Sequence, residues 1–230
     1  VLSTPGTYVM TGDIVNSGIS YCLDIVGNNI TLDCANHLID GNDAAVYGIY
    51  LNRGSAQSTN VNIKNCRLTD WNQGIYVRNA NDNVFENLNL SSILSYQFYI
   101  NAVQNNIFRN IEISSQQSNV YAIYIASVHN SLFDDISLSN VYRGFYLSGS
   151  NSNNFSNIDI DGLTSYHGFY LYSSDSNRVF DSTIKGVGSS FYGLHSNTYS
   201  ENNLYYNNFF NNTNNAYKSP SSTSGTAFHS

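Results

Sequence analysis

Gly144-Phe145-Tyr146-Leu147 returns 24 residues later as Gly168-Phe169-Tyr170-Leu171, and four earlier strings carry the same pattern. They are Gly48-Ile49-Tyr50-Leu51, Gly74-Ile75-Tyr76-Val77, Gln97-Phe98-Tyr99-Ile100 and Ala122-Ile123-Tyr124-Ile125. Successive tyrosines stand 26, 23, 25, 22 and 24 residues apart. A seventh string, Gly193-Leu194-His195-Ser196, follows 25 residues on with histidine in the tyrosine slot. Self-similarity at this period marks one structural unit stacked on itself.

Working outward, a second column runs out of phase with the first: Ile63, Phe85, Phe108, Phe133, Phe155, Phe180 and Tyr205. From most of these anchors an apolar residue follows at +3 and another at +5, as in Phe85/Leu88/Leu90 and Phe108/Ile111/Ile113. Alternation predicts strand, and its break at +2 predicts a corner. The +2 residues are Asn65, Asn87, Asn110, Asp135, Asn157 and Ser182. Asn and Asp tolerate the left-handed backbone that a one-residue corner needs, and stacked Asn amides can bond up the column. No segment carries a helical stripe. The expected fold is all-β, a single-stranded right-handed parallel β-helix of about eight coils. Coils stacked about 4.8 Å apart give a rod of roughly 40 Å.

A single domain over 1–230 is expected. Within it, 1–26 holds the cap and first strands, with Thr7–Ile14 covering the first coil. Residues 27–212 form the coils and 213–230 an irregular C-terminal tail.

Hydrophobic residues make up 41% of the 230, enough for one continuous core. Charged residues are only 11%, against about 25% in ordinary soluble domains, so Asn, Ser and Tyr cover the surface. A formal charge of −7 argues against nucleic acid and anionic membranes as partners. No apolar run is long enough to span a bilayer, so membrane insertion is not expected. The start at Val1, without methionine or leader, reads as a mature or excised piece. Cys22 and Cys34 lie in neighbouring strand-like segments and can pair, leaving Cys66 buried; three reduced core cysteines are the alternative. Asn29, Asn89, Asn154 and Asn211 head N-glycosylation sequons. Low lysine content and abundant Asn, Ser and Tyr point to a secreted or cell-surface protein.

The opening Ser3-Thr4-Pro5-Gly6-Thr7-Tyr8-Val9-Met10-Thr11-Gly12-Asp13-Ile14, with Cys22-Leu23-Asp24-Ile25 and Asn29-Ile30-Thr31-Leu32-Asp33-Cys34, resembles a known family. It is similar to the first coils of the pectin-lyase-like superfamily, and within it to NosD-like repeat proteins of microbial surfaces. Asn207-Asn208-Phe209-Phe210-Asn211-Asn212 and Asn215-Ala216-Tyr217 resemble their terminal coils. The resemblance implies the fold. It leaves activity open, because lyases, hydrolases, adhesins and structural proteins share it. Of the polygalacturonase-type series only Asp134-Asp135 is present, so that active site is not carried over.

Coil register also sorts the outward residues. Lys64, Glu86, Arg109 and Asp134, at +1 from the anchors, alternate in sign and read as a charge ladder fixing register. Asp134, Asp159, Asp161 and Asp181 fall on consecutive coils near one corner, where carboxylates could serve glycoside hydrolysis or hold Ca²⁺. The remaining histidines form no zinc or copper set, so no other metal or cofactor is expected. With Ile49 and Leu51 pointing inward, Tyr50 points outward, as do Tyr76, Tyr99, Tyr124, Tyr146 and Tyr170. A second aromatic file, Tyr47, Trp71, Tyr96, Tyr121, Tyr142, Tyr166 and Tyr192, precedes them. Arg143 and His167 share the slot before Gly144 and Gly168, with His195 nearby. They form the best lyase-like cluster, a cation for a uronate beside candidate bases.

Two readings follow. One is a structural or adhesive rod whose tyrosine face contacts copies of itself, other surface proteins or glycan. The other is a carbohydrate-active enzyme or glycan-binding module, with Arg143, His167, His195, Asp134 and Asp159 as candidates.

Overall fold

A computed structural model describes all residues except 44, 53, 55, 116, 198, 199, 202, 207, 208, 220–226, 229 and 230. Among the described residues every strand pairing is parallel and no helix occurs. Nine strands form one sheet, from Tyr21–Ile25 through Tyr96–Gln104, Tyr121–His129 and Arg143–Ser148 to Ala216–Lys218. The other large sheet bends around the Asn corners, with Val84–Ser91, Ile107–Ser114, Leu132–Ser139 and Asn154–Asp161 at its centre. Together they wind a right-handed β-helix of about eight turns.

The corners form as the sequence predicts. Asn65, Asn87, Asn110, Asp135 and Asn157 all have φ between 51° and 57°. Asn87 Nδ2 donates to Asn65 Oδ1 at 2.9 Å and Asn110 Nδ2 to Asn87 Oδ1 at 2.7 Å, so the amides link coil to coil. In the last corner the reading slips by one residue. Val179, not Phe180, pairs with Phe155, and Asp181 rather than Ser182 takes the positive φ. A one-residue shift exchanges faces. Val179 is buried, whereas Phe180 lies outside and stacks on Tyr206 at 5.2 Å. Asp181 is therefore the corner residue itself.

Inside, Phe85, Phe108, Phe133 and Phe155 stack at 4.8, 4.6 and 4.7 Å, and Phe98 and Phe145 meet this column edge-on. Such pairs contribute about 0.5–1.5 kcal/mol each beyond area burial. A buried polar ladder, two residues before each anchor, closes the next corner. The side chains of Asn83, Asn106, Ser131, Asn153 and Asn177 each accept from a backbone N–H of the preceding coil, at 2.7–3.2 Å. Buried amides are satisfied this way at little net cost. The charge ladder is present and one rung longer, with Lys64 bridging Asp33 at 3.6 Å and Arg109 bridging Glu86.

Glycine at the head of these strings is set by the neighbouring coil. Gly144 and Gly168 sit within or beside strands, and a Cβ at either would fall 2.1 Å from Gly168 O and 2.5 Å from Gly193 O. Close approach of adjacent coils, not turning, selects glycine there.

The cysteine pairing and the C-terminal tail differ from expectation, and the N-terminal segment does not. The disulfide joins Cys34 to Cys66, with Cα atoms 4.8 Å apart. These residues lie on adjacent coils of one wall, whereas Cys22 belongs to the opposite, nine-stranded sheet and is a free thiol. Closing a loop with a sequence separation of 32 stabilises by about 3–4 kcal/mol. At the N-terminus Gly6–Val9 pairs in register with Ile30–Asp33, so the segment covers the first coil as another rung. At the other end Ala216–Lys218 continues the nine-stranded sheet and Ala227–Phe228 pairs with Leu204–Tyr206, so the tail keeps the coil pattern where described. Residues 220–226, Asn207, Asn208 and His229 lie outside the described residues.

Candidate functional site

Pairing register resolves the two outer files of the nine-stranded sheet. One column runs Asp24, Tyr50, Tyr76, Tyr99, Tyr124, Tyr146, Tyr170, His195, Tyr217. The other runs Tyr21, Tyr47, Gln73, Tyr96, Tyr121, Arg143. His167 and Tyr192 extend it, since each precedes the glycine of its coil. Trp71 is not part of this file. It is fully buried and donates from Nε1 to Ile39 O at 2.9 Å. Tyr142 and Tyr166 stand one residue before Arg143 and His167.

The tyrosines point out of the coil, but they are not freely exposed. Tyr50 is only 7% accessible and the next five are half-buried. Tyr76, Tyr99, Tyr124 and Tyr146 stack nearly parallel at 4.6, 5.1 and 5.0 Å. Tyr96 and Tyr121 meet them edge-on. Ring faces are thus covered by neighbouring rings, and edges and hydroxyls remain outward. Burial, helped by the adjacent phenols, pushes the Tyr99 and Tyr146 hydroxyls up to about 12. These groups stay protonated and make poor bases.

Beyond Tyr146 the regularity breaks. The Arg143 guanidinium lies over Tyr121 at 4.4 Å, Tyr166 at 5.0 Å and Tyr142 at 5.3 Å. Among the described residues no carboxylate pairs with it, and its buried Nε lacks an acceptor. His167 is 7% accessible. Its Nδ1 lies 2.9 Å from Tyr192 N and its Nε2 lies 3.1 Å from His195 Nδ1. Burial, then the neighbouring His195, lowers His167 to about 4, and burial lowers His195. His195 Nε2 is shielded and without partner. Tyr166, touching His167 at 4.7 Å and Phe191 at 5.4 Å, has φ 114°, a conformation bulky residues almost never adopt. Strain of this kind clusters at ligand sites.

Other candidates do not join this cluster. Asp134 accepts from Ser156 and Asn157, whereas Asp159 lies beyond the Asn157 corner on the other half of the bent sheet. Asp161 pairs with Lys185 at 3.2 Å, and Asp181 occupies the last corner. Among the described residues no three His, Cys, Asp or Glu side chains converge as a metal would need. Asn29, Asn89, Asn154 and Asn211 are all exposed. A depression of about 460 Å³ lies on the bent sheet and its following turn, lined by Ser91, Ser92, Ser114, Ser115, Gln117 and Asn140. Its described lining holds no charged or titratable side chain, unlike the outer face of the nine-stranded sheet, which carries Arg143, His167 and His195. The sequence grouped Arg143, His167 and His195 by slot, and the structure places Arg143 and His167 in adjacent slots and His167 Nε2 against His195 Nδ1. It missed the strain at Tyr166, which leaves no trace in composition.

Residues 47–228 match the family model for the right-handed β-helix region. The chain belongs to the right-handed β-helix family. No curated protein matches it. Among solved members of this architecture, an alginate lyase from Paenibacillus sp. str. FPU-7 superposes with TM-score 0.69 at 14% identity, covering 98% of this chain and 93% of the lyase. The A-module of mannuronan C-5 epimerase AlgE4 from Azotobacter vinelandii gives 0.63 at 15% identity, covering 97% and 75%. ORF18 of Geobacillus virus E2 gives 0.54 at 13% identity, covering 96% and 53%. At such identities the likeness shows the fold alone.

Proposed function

We propose that this β-helix binds an acidic polysaccharide on the outer face of its nine-stranded sheet, at the stretch from Tyr142 to His195. The observation that carries this reading is Arg143. A guanidinium held between tyrosine rings, with no acidic partner among the described residues, is preorganised for an anion such as a uronate carboxylate. Neighbouring tyrosine edges and hydroxyls suit the rest of a sugar. An alginate lyase and a mannuronan epimerase share the fold, which supports a polyuronate as the ligand class.

Binding is favoured over cleavage because burial holds the Tyr146 and Tyr166 hydroxyls protonated and the Nδ1 atoms of both imidazoles are already engaged in hydrogen bonds. Self-assembly through the tyrosine face has less support. Its ring faces are already stacked, and among the described residues the large exposed apolar side chains are Val1, Val9, Val15, Ile19 and Tyr172, four of them near the N-terminal end. We place the protein in an oxidising compartment, at the cell surface or secreted, on the strength of the Cys34–Cys66 disulfide.

The test is titration with polygalacturonate, alginate and a neutral glucan. Expected is binding to the acidic polymers that weakens with salt and falls about tenfold or more in Arg143→Gln. Equal affinity for the glucan, or no effect of the substitution, overturns the reading. Release of unsaturated oligosaccharide would replace binding by lysis.

A further inference from the structure

Proton positions in the histidine pair follow from its hydrogen bonds. The Tyr192 backbone N–H donates to His167 Nδ1, so that nitrogen carries a lone pair. In a neutral imidazole the other nitrogen then holds the proton, and His167 Nε2–H donates to His195 Nδ1. His195 Nδ1 is therefore an acceptor, and its proton sits on Nε2. Both rings are neutral at pH 7, since their burial disfavours the charged form. Nε2 of His195 is the atom left without a partner. A buried N–H with no acceptor is uncommon enough to require a reason.

We infer that His195 is a second ligand contact, a hydrogen-bond donor to an anionic oxygen through Nε2–H, and that His167 is the positioning residue that fixes its tautomer. This rests on the acidic-glycan reading and adds a direction to it: the two buried atoms of the site left without partners, Arg143 Nε–H and His195 Nε2–H, are both donors. Tyr170, Tyr192, Tyr217 and His167 surround His195 at ring distances of 4.6–5.6 Å. Arg143, in the slot adjacent to His167, is the charged group nearest the pair along its column. Seating an oxygen at Nε2 requires Tyr192 or Tyr217 to turn aside. Arg143 and His195 stand two coils apart, about 10 Å along the axis, so they would hold different groups of one extended chain. A carboxylate or a sulfate satisfies the same donors.

The experiment is side-chain ¹H–¹⁵N correlation of the intact protein, first alone and then with oligogalacturonate or a sulfated galactan oligosaccharide. Without ligand, both histidines should appear as Nε2–H tautomers at pH 7. Ligand should shift the His195 Nε2–H signal, and the arm that shifts it at lower concentration identifies carboxylate or sulfate. His195→Phe should weaken binding about tenfold. His167→Phe should weaken it comparably, whereas His167→Gln, which retains one acceptor and one donor, should recover most of it. An Nδ1–H tautomer at His195 overturns the inference even if nothing binds. So does an unshifted His195 signal while Arg143→Gln still abolishes binding, and in that case the acidic-glycan reading stands.

Discussion

From Tyr76 to Tyr146 the outer column is an unbroken run of phenols stacked at 4.6, 5.1 and 5.0 Å, whereas around Arg143, Tyr166, His167 and His195 the same face holds a guanidinium, a strained tyrosine and two linked imidazoles. Backbone register is continuous across both stretches, so the difference lies in the side chains and in the backbone at Tyr166. In the first stretch each ring finds its partner within the chain and little is left for a ligand. In the second, Arg143 and His195 keep polar atoms without partners. Repetition serves stability, and interruption of the repeat marks where something external is needed.

Acidification should separate the two stretches most strongly. His167 has its pKa lowered to about 4 by burial, against about 6.5 when unfolded. Protons then bind the unfolded chain preferentially, so the stability of the His167 region is complete above pH 6.5 and is lost as pH falls towards 4. About 2–3 kcal/mol is at stake from this residue. The lowered carboxyls of Asp33 and Glu86, held down first by the Asn65 and Arg109 hydrogen bonds, act only in a lower window. Hydrogen exchange between pH 7 and 4.5 should therefore show the coils around His167 and His195 loosening before those around Tyr99. Uniform loosening would remove the distinction.

A smaller effect is expected from Tyr99→Ala. It removes a half-buried ring stacked on both Tyr76 and Tyr124 and should cost about 2 kcal/mol, roughly half the penalty for a fully buried aromatic. Polyuronate affinity should change less than twofold. Denaturant unfolding and the titration already described measure both. A loss of affinity as large as in Arg143→Gln would show that the whole ladder is the binding face.

How much of this is legible in the sequence depends on the length scale of its cause. The period and the Asn corners are local, and Asn65, Asn87 and Asn110 announce them directly. Column assignment fails where local signals compete. Phe180 looks like the next aromatic anchor, yet burial of Val179 wins, and Asn177, two residues before Val179, was the signal that could have decided it. The partner of Cys34 is set by which wall each coil segment joins, a fact of three-dimensional register, so the nearer Cys22 was a false candidate. Arg143, His167 and His195 could be grouped from the repeat alone. Their hydrogen-bond order could not, because it depends on where the Tyr192 N–H points.

The smallest expected effect is also the most discriminating. Tyr166 holds φ 114°, which glycine adopts freely and a tyrosine only under constraint, at a cost of about 1–3 kcal/mol. Its ring lies over Arg143 at 5.0 Å, a contact worth about 0.5–1 kcal/mol at a partly exposed site. Tyr166→Gly relieves the first and forfeits the second together with some packing against Phe191. Thermal stability should then stay level or rise by up to about 1 kcal/mol, while affinity for polyuronate drops severalfold. An ordinary packing residue would lose stability on truncation and leave affinity alone. Opposite signs in the two measurements would mean that strain at Tyr166 is maintained for the sake of Arg143; matching losses would return Tyr166 to the structural ladder and confine the site to Arg143 and the histidine pair.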